Sequence, residues 1–168
     1  MIAKLNLNKI MKMKAKQVKP TDPDSYYGKR VFLAGSIEMG KADDWQAAVF
    51  SKLEHHAITF YNPRRDSWDA SWSQKQSSPE FNFQVNWELN HIESSEIVFM
   101  YFDPRTMSPI SLLELGLLAS SGKMIVCCPD GFWRKGNVEV VCARHNIPLF
   151  NDLDSAIGAL ETRILQVN

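Results

Sequence analysis

Apolar residues in this chain fall into short continuous runs separated by segments in which they recur every third or fourth position. Arg30 to Ala34 (RVFLA) predicts a buried strand that ends in the turn Gly35-Ser36. Trp45, Val49 and Leu53 then lie four apart, one face of a helix over Asp43 to His55. Ile58 to Tyr61 reads as a second strand, closed by Asn62-Pro63, and residues 64 to 78 show no period and read as a loop. Pro79 opens a helix with Phe81, Val85, Leu89 and Ile92 along one stripe. Ile97 to Phe102 is a third strand, apolar throughout, as strands covered on both faces are. Pro109 to Ser121 is a helix stopped by Gly122, and Met124 to Cys128 a fourth strand. Asn137 to His145 (helix), Leu149-Phe150 (strand) and Asp152 to Leu165 (helix) complete the alternation.

Strands alternating with helices predict an α/β fold, a doubly wound parallel sheet. Five strands fit the flavodoxin-like order 2-1-3-4-5, in which ligands sit beyond the carboxyl ends of the strands where the order reverses. That switch point lies between the first and third strands. Gly35-Ser36-Ile37 and Asp103 to Ser111 would wall the crevice.

The chain has 168 residues, enough for one self-sufficient core, and no run near the roughly 20 apolar residues of a membrane span. Its N-terminus lacks an apolar signal segment and its first 29 residues lack Arg, so a cytoplasmic protein is expected. Zero net charge hides an asymmetry: six lysines precede the first acidic residue, Asp22. The remainder carries 13 basic and 19 acidic residues, a net charge of −6 that argues against nucleic acid as a partner. Residues 1–28 are therefore read as a basic leader, frayed or loosely docked, and a Pro/Asp/Gly-rich linker; residues 29–168 form the domain. Cys127, Cys128 and Cys142 have neither metal spacing nor even number and read as core residues. His55, His56, His91 and His145 are scattered over presumed helices, so no metal site and no cofactor are expected.

Glu114 carries the sharpest chemical signal. It is the one ionisable residue between Ile110 and Ser121, set among five leucines. An ionised carboxylate there is costly unless paired or hydrogen-bonded, so Glu114 is either a functional group near the crevice or one half of a structural ion pair. Its place near the start of its helix suggests that the helix dipole helps keep it ionised. Glu88 falls in the apolar arc of Phe81, Val85 and Ile92, pointing inward or lying at the edge of its helix and reaching water. Two inward carboxylates on two helices suit displacement at an anomeric carbon, one attacking and one managing protons. The Gly35-Ser36 turn offers backbone amides to an anion. Arg64 and Arg65, with Trp68 and Trp72 after them, suit phosphate capture or base stacking, although exposed loops often mix such residues.

VFLAGSIEMG at 31 to 40, NWELNHIESSEIV at 86 to 98 and SPISLLELGLLASSGK at 108 to 123 together resemble the nucleoside 2-deoxyribosyltransferase superfamily, whose relatives include deoxynucleoside 5'-monophosphate N-hydrolases. The resemblance implies a flavodoxin-like fold, a glycosyl-enzyme intermediate on Glu114, and an acidic residue at Glu88, usually Asp, that serves the leaving base. It further implies that Ser36, in the Gly35-Ser36-Ile37 turn, and Ser108 contact a 5'-phosphate in the hydrolases. Asn137 falls where a neighbouring subunit's residue completes the sugar site, which implies a homo-oligomer. Phe32 departs from the pattern, standing where many members have a tyrosine whose hydroxyl orients the nucleophile. The substrates so implied are small nucleosides or nucleotides and a free nucleobase, processed by base transfer or by hydrolysis. A nucleotide-binding module that has lost catalysis is the third reading.

Overall fold

The computed structural model describes residues 13–37, 42–65 and 73–166. Six parallel strands form one sheet: β1 (Lys16–Val18), β2 (Lys29–Gly35), β3 (Ile58–Tyr61), β4 (Ile97–Tyr101), β5 (Met124–Cys127) and β6 (Leu149–Phe150). Their order is β1-β3-β2-β4-β5-β6. The described residues form five helices, α1 (Trp45–Leu53), α2 (Pro79–Ser94), α3 (Pro109–Leu118), α4 (Lys135–His145) and α5 (Leu153–Leu165). A short 3-10 turn, Ala119–Ser121, extends α3 to Gly122, whose φ of 70° ends it.

The expected count of five strands is corrected to six. The extra one, β1, comes from the basic leader and pairs with β3 at the sheet edge, Lys16 beside Thr59 and Val18 beside Tyr61. Val18 is fully buried, and Ala15 N–H donates to the Glu54 carbonyl at 2.7 Å, so this part of the leader is docked. Three residues are too few to announce a strand by periodicity, and Lys16 and Gln17 mask the one apolar anchor. Residues 1–12 lie outside the described residues.

Apolar side chains on the two sheet faces build two cores. Trp87 and Ile92 of α2, Leu115 and Leu118 of α3, and Val138 and Cys142 of α4 cover one face over Phe32, Ala34, Val98 and Met100. Trp45, Val49 and Leu53 of α1, with Ala156, Ile157, Leu160 and Ile164 of α5, cover the other over Val31, Leu33, Phe60 and Phe99. The continuous apolar runs of β2, β4 and β5 follow from this burial on both faces. All three cysteines are free and buried, and burial pushes each thiol up, Cys127 and Cys128 to about 12 and Cys142 to about 11. They are packing residues, with little thiolate available for chemistry. No helix among the described residues is long and apolar enough to cross a membrane.

Candidate active site

The carboxyl ends of β2 and β4 meet where the strand order reverses, and the contact there is backbone on backbone. Ser36 N–H donates to the Tyr101 carbonyl at 2.9 Å, and Gly35, at φ 132°, passes so close that a Cβ would lie 2.1 Å from that oxygen. Only glycine tolerates both the dihedral and the approach.

Just beyond this contact three hydroxyls interlock. Ser36 Oγ lies 2.6 Å from Ser108 Oγ, Thr106 Oγ1 donates to Ser36 Oγ at 2.9 Å, and Thr106 Oγ1 lies 2.8 Å from Ser108 Oγ. Asp103 N–H donates to Ser36 Oγ at 2.8 Å, and all three hydroxyl residues are at most 4% exposed. Ser108 holds a left-handed backbone, φ 44° and ψ 52°, as it turns the chain into α3, and Pro109 starts that helix. The amino end of α3 therefore opens beside the hydroxyl cluster, bringing its partial positive charge to the crevice. Thr106 was missing from the sequence reading; its signal is the alternation of hydroxyls at 106 and 108 just before a helix-starting proline.

The loop carrying these residues is pinned from the other side. Arg105 donates Nε to Asp103 Oδ1 at 3.0 Å and Nη2 to Asp103 Oδ2 at 2.6 Å, and also reaches Asp43 Oδ2 at 2.7 Å. That guanidinium holds the buried Asp103 carboxyl below its ordinary range. Trp45 Nε1 donates to the Ser36 carbonyl at 2.9 Å, anchoring the turn to α1.

Glu114 and Glu88 approach one another from α3 and α2 on the face of the sheet that includes Phe32. Glu114 is 9% exposed and has neither an ion pair nor a hydrogen bond among the described residues. Burial first, and then the charge of Glu88, push its pKa up to about 8. Among the described residues no ion pair to Glu114 forms, and burial outweighs the expected help from the helix dipole, since Glu114 lies beyond the first turn. Glu88 is half-buried and inward, its Oε1 accepting from Gln84 Nε2 at 2.6 Å. Burial raises it to about 7 against the lowering influence of Gln84 and of the Arg65 cation. Gln84 sits one turn before Glu88, a spacing that could have flagged it. Phe32 is 1% exposed with its ring tilted against Trp87 at 6.2 Å, and contributes packing but no hydroxyl to the bare Glu114 carboxyl.

The remaining sequence candidates make other contacts. Arg64 is occupied elsewhere: Nε donates to Gln46 Oε1 at 3.2 Å, Nη2 to the Asp43 and Ala42 carbonyls at 3.1 and 3.3 Å, with Asp44 3.7 Å away. It is Arg65 whose charge reaches Glu88. Trp68 and Trp72 lie outside the described residues. Asn137 is exposed on α4 and lines a groove of about 320 Å³ with Leu112, Gly116 and Arg134.

Raised carboxyl pKa values carry a stability consequence. The folded chain keeps these protons to higher pH than the unfolded chain, so both groups favour folding below the ordinary carboxyl range. That contribution is lost as pH rises through about 7 to 8. Glu114→Gln removes the buried charge, so its Tm should exceed the wild-type value by several degrees at pH 8.5 and match it near pH 5. A wild-type chain that melts above the variant at pH 8.5 would contradict this environment for Glu114.

A family model described as "Nucleoside 2-deoxyribosyltransferase like" matches residues 28–132, the span from β2 past the hydroxyl cluster and Glu114. No curated protein matches the sequence. Among solved structures, the crystal structure of a conserved protein from Enterococcus faecalis V583 is similar, with a TM-score of 0.60 at 13% identity, covering 82% of this chain and 99% of that one. At that identity the likeness is one of fold.

Proposed function

Since the chain belongs to the nucleoside 2-deoxyribosyltransferase-like family, we propose that it cleaves or exchanges the N-glycosidic bond of a (deoxy)nucleoside, with Glu114 as nucleophile. The observation that carries this reading is the pair of inward carboxylates, Glu114 buried without a basic partner among the described residues and Glu88 half-buried beside it. Near pH 7.5 such a pair holds about one proton, resting on Glu114 in the ligand-free chain, and the reaction requires that proton to pass to Glu88 so that Glu114 attacks ionised. As the base departs, the sugar ring gains positive charge, which favours the ionised form of the carboxylate facing C1'. The Glu114 oxygen forms the bond to C1' while the C1'–N bond breaks, and Glu88, directly or through water, gives its proton to the base. A second base or a water then displaces the Glu114 carboxylate from C1' and gives its proton back to Glu88, restoring the starting state. Neither a metal nor an organic cofactor enters this sequence.

Glu88→Gln keeps the bond from Gln84 possible but removes the transferable proton. Its kcat/KM should fall by about 10²–10⁴ for substrates with poor leaving bases and by less for activated ones. Equal losses for both kinds of base would argue against proton transfer by Glu88.

A second reading, N-hydrolysis of a nucleoside 5'-monophosphate, draws support from the Ser36, Thr106 and Ser108 hydroxyls at the amino end of α3. Such an end, with hydroxyl donors added, suits a phosphate. Incubation with deoxynucleosides and deoxynucleotides, with and without a second free base, separates the readings by product chromatography. Base exchange supports transfer, and free base released without an acceptor supports hydrolysis. Ligand binding without turnover contradicts both and leaves the non-catalytic module. A homo-oligomer in which a neighbour's Asn137 completes the sugar site belongs to the same proposal. The exposed stripe Ile110, Leu113 and Leu117 on α3 is a surface for it. A fully active chain that sediments as a monomer would exclude that assembly.

A further inference from the structure

Chain turns bring two histidines and a glutamate together on the sheet face opposite the carboxylate pair. His55 and His56 follow α1, where His56 N–H donates to the Leu53 carbonyl at 3.1 Å and Ile58 N–H to the His56 carbonyl at 3.0 Å, so the backbone bearing both rings is fixed. Glu161 lies on α5, next to Leu160, which is fully buried against that face. His56 Nε2 and His55 Nε2 stand 2.8 and 3.3 Å from the same Glu161 oxygen, and the ring centroids are 4.0 Å apart. The three ligand atoms all lie within 4.8 Å of one another.

Each ring can separately donate a hydrogen bond to the shared Glu161 oxygen, whereas two protonated rings this close would repel each other. A single cation accounts for all three groups at once. Ligands roughly 2.0–2.1 Å from a tetrahedral zinc lie about 3.4 Å from each other; His55 Nε2 already stands 3.3 Å from the Glu161 oxygen, and His56 Nε2, at 2.8 Å, would move out by about half an ångström to admit the ion. Two imidazoles and one carboxylate are a borderline-soft set that suits Zn²⁺ and not Mg²⁺ or Ca²⁺, which require oxygen. We propose that His55, His56 and Glu161 form a Zn²⁺ site that ties the end of α1 to α5, with the fourth position left to water. Adjacent histidines at 55 and 56 gave no ligand spacing along the chain; the third ligand arrives from 105 residues further on. This site is independent of the proposed reaction.

The test uses the full untagged chain, treated with chelator and titrated with Zn²⁺ by calorimetry, and with Co²⁺ by absorption. We expect one ion per chain, a rise in Tm on adding Zn²⁺, and Co²⁺ bands of nitrogen and oxygen ligation without a thiolate charge-transfer band. His56→Ala and Glu161→Gln should each weaken binding at least about tenfold, and circular dichroism should show both folded. No saturable binding, unchanged affinity in both variants, or a thiolate band would each overturn the site.

Discussion

Glu114→Gln is expected to reduce kcat/KM by at least about 10³-fold with the fold intact, because it keeps the side chain's shape and removes the anion that attacks. Glu114→Ala should do the same. The expectation rests on the bare carboxyl: with no ion pair or hydrogen bond among the described residues, Glu114 has no structural duty whose loss would disturb its neighbours. Its burial instead costs the folded state whenever it is ionised, so the amide should be neutral or stabilising. Loss of activity together with retained or raised Tm is the signature of a residue kept for chemistry. Product formation at the wild-type rate in either variant would remove Glu114 from the mechanism.

Gly35→Ala is expected to destabilise the chain by about 3–5 kcal/mol, the sum of a strained positive φ and an overpacked contact. The added Cβ would lie 2.1 Å from Tyr101 O and 2.7 Å from Tyr101 N, backbone atoms of the adjacent central strand that cannot move without breaking the ladder. For a domain of this size that is a fall in Tm of roughly 10 °C or more. The contrast is Gly116→Ala on α3, where a Cβ meets nothing within 4 Å; it should be neutral or slightly stabilising as the better helix former. Thermal melts of the two variants check the pair, and a Gly35→Ala melt within 2 °C of wild type, roughly below 1 kcal/mol, would mean that β2 and β4 are not held at this distance.

The parts of the fold that were legible in sequence are those where burial leaves a periodic imprint. The apolar runs of β2, β3, β4 and β5 and the four-residue spacing of Trp45, Val49 and Leu53 give elements close to those observed. β1 was hidden because its three residues carry one buried side chain between lysines. At the site, Glu114 and Glu88 stood out as charges inside apolar stripes, an anomaly visible without coordinates. Thr106 and Gln84 did not, because a hydroxyl or an amide in a loop or on a helix edge is ordinary until tertiary contacts give it a partner. Arg64 shows the converse: beside Arg65 in sequence it looked equally suited to an anion, yet its guanidinium is engaged by Gln46 and the carbonyls of Ala42 and Asp43.

The most direct measurement is to trap the sugar on the enzyme. A nucleoside bearing fluorine at C2' destabilises the cationic transition state and slows both displacement steps. Incubated with the wild-type chain, digested and sequenced by mass spectrometry, it should leave one pentosyl adduct on the side chain of Glu114, absent from Glu114→Gln. An adduct on another residue, or turnover of natural substrate that persists in Glu114→Gln with no adduct formed, would contradict a covalent role for this carboxylate.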